Sequence, residues 1–168
     1  MEITLKDIGR RYNSEWIFRH INYRFESGKS YAVLGQNGSG KSTLLKVLSG
    51  SLSPSQGELV YTNGGHTVGV DQVYQQLSIA APYVELIEEF TLRELFSFHF
   101  QFKSYLPGFD KESTLNLLGL NNALDKEIKH FSSGMRQRVK LVLACCSNSH
   151  LVLLDEPTAA LDALAETE

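Results

Sequence analysis

The feature that most constrains this chain is a short loop made of Gly35, Gln36, Asn37, Gly38, Ser39, Gly40, Lys41 and Ser42, in which a glycine is followed, after four residues, by Gly-Lys-Ser. Ahead of it the apolar run Tyr31, Ala32, Val33 and Leu34 reads as a strand. Behind it Leu44, Leu45 and Leu48 recur at helical spacing as far as Gly50, a natural stop. Strand, glycine loop and helix, in that order, is the context a phosphate-binding loop requires. Gly35, Gly38 and Gly40 let the backbone turn tightly and aim its amides inward, and the positive end of the following helix strengthens the anion site. Lys41 would reach the β- and γ-phosphates of a nucleotide, and Thr43 extends the stretch that would bind it. The Ser42 hydroxyl would hold Mg²⁺, a hard cation that prefers oxygen ligands.

Strand and helix signals continue along the chain. Residues 3–8 and 21–25 alternate apolar and polar side chains, as strands do, and residues 51–57, with Pro54, read as a loop. Phe96, Phe98, Phe100 and Phe102 alternate like a strand, whereas Leu92, Leu95, Phe96 and His99 repeat like a helix. Thr91 followed by Glu94 decides for a helix, because the pair forms a capping box in which each side chain satisfies a free backbone amide of the other. Phe98 and Phe100 then fall partly off the core face, where they either pack within a local helical subdomain or meet a partner protein. Met135, Val139, Val142, Leu143 and Cys146 mark one face of a later helix introduced by Ser132, Ser133 and Gly134. The adjacent Cys145 and Cys146 suit neither an ordinary disulfide nor a metal site, so both read as reduced packing residues. Leu151, Val152, Leu153 and Leu154 form an apolar run ending in Asp155 and Glu156. That is the pattern of a central parallel strand, covered on both faces, that delivers its carboxylates at the edge where open α/β sheets bind ligands.

At 168 residues the chain fits one domain. A net charge of -3, with dispersed lysines and arginines, argues against direct nucleic-acid binding. No apolar run approaches the length that spans a bilayer, and the opening residues lack the basic start and apolar stretch of a secretory signal, so the chain is expected in the cytoplasm. A phosphate loop by itself leaves small-molecule kinases and GTPases open.

Two further motifs narrow the choice. Phe131, Ser132, Ser133, Gly134, Met135, Arg136, Gln137, Arg138 and Val139 resemble the signature motif of ATP-binding cassette proteins. The run from Leu151 through Asp155, Glu156, Pro157 and Thr158 resembles their second nucleotide motif with its catalytic glutamate, and Ala160, Leu161 and Asp162 resemble the D-loop that follows it. The order and separation of these motifs match the family, and the resemblance covers essentially the whole chain. It implies an α/β fold: a P-loop NTPase core with a mainly parallel sheet, an N-terminal antiparallel β subdomain and a helical signature subdomain over about residues 85–147, all within one nucleotide-binding domain, 1–168. Asp155 would support the Mg²⁺ shell and Glu156 would polarise the water that attacks the γ-phosphate. Tyr12 stands where the family places an aromatic that stacks on adenine. Ser132, Ser133 and Gly134, at a helix start, would meet the γ-phosphate bound on a second, head-to-tail cassette. The implied activity is ATP binding and hydrolysis powering a transporter, with a second cassette and a transmembrane permease subunit as partners, peripheral at the inner face of a membrane. Two alternatives stand beside it: a soluble cassette ATPase acting on ribosomes or DNA, and a nucleotide-gated interaction module with little hydrolysis.

The sequence departs from the family pattern in places. Ser133 stands where glycine is usual and Met135 where glutamine is usual. Tyr83 replaces the glutamine that normally follows the strand ending near Ala81 and Pro82. Glu85 is a candidate for metal or water contacts there, although Glu85, Glu88 and Glu89 also read as an acidic exposed face. His20, His66, His99, His130 and His150 all precede the second nucleotide motif, so none matches the family's switch histidine, and the core strand leading to it is also missing. A truncated or shortened cassette is the expectation. Nucleotide binding without strong turnover should follow, which a steady-state phosphate-release assay on the 168-residue protein checks.

Overall fold

Alternation of apolar and polar residues at the N-terminus produces one long antiparallel hairpin rather than two short strands. In the computed structural model, which describes residues 1–158, β1 spans Glu2–Tyr12 and β2 spans Glu15–Phe25. Asn13, at φ 52°, makes the turn between them, a left-handed conformation that asparagine tolerates better than most residues. Both strands extend beyond the alternating runs, because cross-strand pairs such as Arg11 with Trp16 and Tyr12 with Glu15 continue the ladder to the turn. The Arg11 and Arg19 guanidiniums lie 5.6 and 4.2 Å from the Trp16 ring centre, giving these polar positions an aromatic surface to cover.

The sheet is completed by β3, Gln56–Asn63, and β4, His66–Val68, in the order β2-β1-β3-β4, antiparallel throughout. Tyr61 of β3 is buried, and its hydroxyl donates to the carbonyls of Val47 and Leu48 at 3.3 and 3.1 Å. Those carbonyls end α1, Lys41–Leu48, so the helix after the glycine loop is tied to the sheet at its last turn. A short α2, Val73–Gln76, closes the first of two compact units, Met1–Gln76.

The expected strand at Tyr31, Ala32, Val33 and Leu34 does not form. The segment makes no ladder with any described residue, and Leu34 is 89% exposed. Apolar side chains favour a strand, but only main-chain pairing to a neighbour creates one.

The second unit begins at Leu77. Here β5, Leu77–Ala80, pairs in parallel with β6, Leu151–Leu154, Leu77 lying opposite Leu151 and Ala80 opposite Leu154. Parallel neighbours need a long crossover, and the connection contains α3, Leu92–Phe102, α4, Lys111–Leu118, and α5, Ser133–Cys145. The predicted capping box is present: the Thr91 hydroxyl accepts from the Glu94 amide at 3.3 Å, and the Glu94 carboxylate accepts from the Thr91 amide at 2.8 Å. Leu92, Leu95 and Phe96 of α3 pack with Leu115, Leu118, Ile128, Phe131, Val139 and Leu143 in the core of this unit. Phe100 stacks on Tyr105 with ring centres 3.6 Å apart, so the packing alternative holds for it, while Phe98 bridges Phe90 and the exposed Phe102 edge to face.

Two packing expectations are corrected. Only Leu153 of β6 is buried; Val152 and Leu154 are each 39% exposed, because β6 has a single strand neighbour among the described residues. Cys146 is buried but Cys145 is exposed, since it lies off the face that Val139, Leu143 and Cys146 share; both thiols are free.

His99 illustrates the chemistry of the helical core. Its Nε2 lies 2.8 Å from the Ser147 hydroxyl oxygen, and that hydroxyl donates to the Leu143 carbonyl at 2.6 Å. Burial above all, and then the charge of Lys103, hold the imidazole below its ordinary pKa, against a smaller upward pull from Leu143. The unfolded chain therefore binds a proton at a pH where the folded one does not, so stability is lost as pH falls below about 6.5 toward the depressed folded value. Replacing His99 with Gln should flatten that part of the profile, as read from denaturation midpoints between pH 7 and 5.

Candidate functional site

The phosphate loop is shaped by local geometry. Gly40 caps α1 at φ 94°, and a Cβ there would lie 2.6 Å from Cγ2 of Ile17 on β2. Both the conformation and the close approach require glycine. Gly38 is also left-handed, at φ 80°, but has open space around it. Ser39 donates its amide to the Gln36 carbonyl at 3.2 Å, and Leu44 donates to the Gly40 carbonyl at 2.8 Å, starting the helix. Residues 35–39 are exposed, and Gly40, Lys41, Ser42 and Thr43 are half-buried. The α1 first turn carries no acidic side chain that would oppose an anion.

The Lys41 ammonium donates to the carbonyls of Gly35 and Gln36, both at 2.9 Å. It thus curls over the loop's own mouth. A phosphate oxygen, itself charged, offers the ammonium an ion pair in place of these bonds to neutral carbonyls. Tyr12 ends β1 at 45% exposure, with the Arg10 guanidinium 4.7 Å from its ring centre.

In the second unit the parallel strands bring their C-terminal ends together. The Asp155 amide donates to the Ala80 carbonyl at 2.9 Å, continuing the ladder one residue past β6. Asp155 is 6% exposed, and its Oδ2 is buried with no hydrogen-bond partner among the described residues. An orphaned, buried carboxylate oxygen is costly, and a hard cation is one of the few partners that satisfies it. Glu156 follows at φ 46° with its side chain exposed, so the turn separates two adjacent carboxylates into a buried and a free one. Among the described residues no cluster of three or more metal-ligating side chains occurs. Asp162, with Ala160 and Leu161, lies outside the described residues.

α5 supplies what holds this edge. Ser132 caps it, accepting from the Met135 amide at 3.2 Å; Ser132 and Ser133 are exposed and Gly134 is buried. Arg136 is anchored to the carbonyls of Phe131 and Lys129 at 3.2 and 2.9 Å and to Glu88 at 2.5 Å, so it fixes the segment leading into the helix. Gln137, 6% exposed, donates to the Pro157 carbonyl at 3.3 Å and, more weakly, to that of Glu156 at 3.5 Å. Lys140 donates to the carbonyls of Ala81 and Pro82 at 3.3 and 3.2 Å, and burial, reinforced by Arg136 and opposed by Glu85, lowers its pKa. Neither Gln137 nor Lys140 was singled out by sequence reasoning. Their helical positions are legible, but the carbonyls they capture belong to distant segments. Tyr83 likewise turns up at this edge, where burial and then the Asp155 charge push its phenol up to about 12.

A sequence profile described as ABC transporter matches residues 18–159. The sulfate/thiosulfate import ATP-binding protein CysA of Synechocystis is 32% identical over 174 aligned residues, covering all of this chain and 48% of that protein. The energy-coupling factor transporter ATP-binding protein EcfA1 of Thermotoga maritima is 31% identical and is covered to 65% of its length. The chain thus spans about half the length of the first of these curated relatives and two thirds of the second. Among solved structures, an ATP-binding subunit of an ABC transporter superposes with a TM-score of 0.77 at 25% identity, covering 94% of this chain and 67% of that one. A dimeric bacterial ABC transporter cassette gives 0.77 at 24% identity, over 96% and 76% of the two chains, a likeness of fold.

The two left-handed loop glycines make a graded test of the cradle. Gly40→Ala should destabilise the protein by about 1–3 kcal/mol and weaken ATP binding at least about tenfold, because strain and the Ile17 contact act together. Gly38→Ala, with only the conformational strain, should cost less on both counts, as measured by denaturation and calorimetry.

Proposed function

This chain belongs to the ABC transporter family, and we propose that it is an ATP-binding, ATP-hydrolysing subunit that powers a transporter by nucleotide-driven pairing of two cassettes. The observation that carries this reading is the phosphate cradle: a left-handed glycine opening α1, with the Lys41 ammonium held over the loop carbonyls by bonds a phosphate can replace. Residues 35–43 would bind the phosphates, and Tyr12 would offer adenine the ring face that Arg10 leaves open. The Ser42 hydroxyl and the Asp155 carboxylate would hold Mg²⁺; both are hard oxygen donors, and the orphaned Asp155 Oδ2 fits such an ion. Once bound, Mg²⁺ would neutralise charge developing on the transferred phosphoryl oxygens. Glu156, the exposed carboxylate, would orient the attacking water.

Ser132, Ser133 and Gly134 open the thirteen-residue α5, whose free amides suit the γ-phosphate of a second cassette, and Asp162 would contribute beside them. In this reading residues 1–168 form one nucleotide-binding domain with a helical subdomain over about 85–147. Its further partner is a transmembrane permease subunit, with the chain in the cytoplasm at the inner membrane face; no described helix is long and apolar enough to cross a membrane. Mass in solution tests the pairing: Glu156→Gln, which blocks turnover, should shift from monomer to dimer on adding Mg²⁺-ATP, and adding Lys41→Ala should abolish the shift. A protein that binds ATP yet stays monomeric would overturn the composite-site mechanism.

A further inference from the structure

β1 ends at Tyr12, whose ring stays 45% exposed at the tip of the hairpin. An exposed aromatic at a strand end samples several rotamers, and a ligand that stacks on it has to stop that motion at a cost in entropy. Here the ring is held in advance. Arg10, two residues earlier in the same strand, places its guanidinium carbon 4.7 Å from the Tyr12 ring centre. The same guanidinium is anchored: its Nη1 donates to the Ser53 carbonyl at 3.1 Å and, more weakly, to the Ser55 hydroxyl at 3.4 Å. Ser55 is fixed in turn on both sides of Arg10, its amide donating to the Gly9 carbonyl at 2.7 Å and its hydroxyl accepting from the Arg11 amide at 3.2 Å. A planar guanidinium does both jobs at once, its edge making hydrogen bonds while its face covers a ring. The hairpin also adjoins the phosphate loop within the same unit, because Arg10 pairs with Phe18, and Phe18 and Ile17 lie against Gly40.

We propose that Arg10 is the positioning residue of Tyr12: tied to residues 53–55, its guanidinium backs one face of the ring and so presents the other to the nucleotide base. Arg10 then acts through Tyr12 and not on the phosphates. This inference rests on the ATP-binding reading above and, within it, on Tyr12 as the group that stacks on adenine.

The test compares ATP with inorganic tripolyphosphate, which carries the phosphates without the base. Both are measured with Mg²⁺ by calorimetry on wild type, Arg10→Gln, Tyr12→Ala and the double variant, tripolyphosphate being read by its displacement of bound ATP. Arg10→Gln should weaken ATP about fivefold and leave tripolyphosphate within about twofold. In the Tyr12→Ala background the same change should alter ATP affinity by less than about twofold, since no ring is left to hold. Tyr12→Phe, which keeps the ring, should keep the dependence on Arg10 at about fivefold. Equal weakening of ATP and tripolyphosphate by Arg10→Gln means that the arginine acts on the phosphates or through packing, and overturns the positioning role; so does a full-sized effect in the Tyr12→Ala background. If Tyr12→Ala weakens ATP while Arg10→Gln does not, the inference falls and base stacking on Tyr12 stands. If Tyr12→Ala binds ATP as wild type does, the Tyr12 reading falls and takes the inference with it. A wild-type protein that binds neither ligand overturns the ATP-binding reading itself.

Discussion

Parallel pairing of β5 with β6 is the constraint on which the second unit depends, and its last link is the bond from the Asp155 amide to the Ala80 carbonyl. Beyond that bond neither strand can pair further, and each leaves backbone groups that burial would penalise. α5 resolves the problem from one side. Lys140 takes the carbonyls that follow β5, and Gln137 takes those that follow β6. One helix therefore fixes both turns, and the positions of Tyr83, Asp155 and Glu156 follow from where those turns are held. The helix that opens at Ser132, Ser133 and Gly134 is thus joined through Gln137, one turn later, to the turn that carries the carboxylates.

Crossover topology explains why so much of the chain is helical here. Two parallel strands cannot be joined by a tight turn, so the segment between Ala80 and Leu151 has to leave the edge and return. It does so through α3, α4 and α5, whose apolar faces close on one another around Phe96, Leu92 and Val139. The phosphate loop obeys a different economy. Its shape comes from left-handed glycines, short-range amide bonds and the α1 terminus, and β2 presses on it where Ile17 and Phe18 lie against Gly40.

Legibility in the sequence followed this division between near and far. The Thr91–Glu94 box and the Ser132 cap were readable because both partners sit within three residues of each other. The equivalent box at Asp110 and Ser113 escaped notice because serine, not glutamate or glutamine, stands at its fourth position. β3 and β4 were missed, although the Gly64-Gly65 pair between them is a turn signal. Tyr31, Ala32, Val33 and Leu34 have the composition of a buried strand yet acquire no ladder among the described residues, and β6 keeps an exposed side at Val152 and Leu154 for the same reason. Composition reports what a strand would like to bury, not whether a neighbour is present.

By itself the sequence determined the phosphate loop, the helix after it, the caps of α3 and α5, and membership of a family whose profile spans residues 18–159. Each of these rests on residues close together in the chain or on an ordered set of motifs. Tertiary structure alone decided that Gln137 and Lys140 hold the strand ends, that Asp155 is buried while Glu156 is free, and that Tyr83 shares their edge. The physical reason is that hydrogen bonds and burial between segments far apart in the chain, such as Asp155 and Ala80, arise from the parallel register, and no local pattern encodes that register.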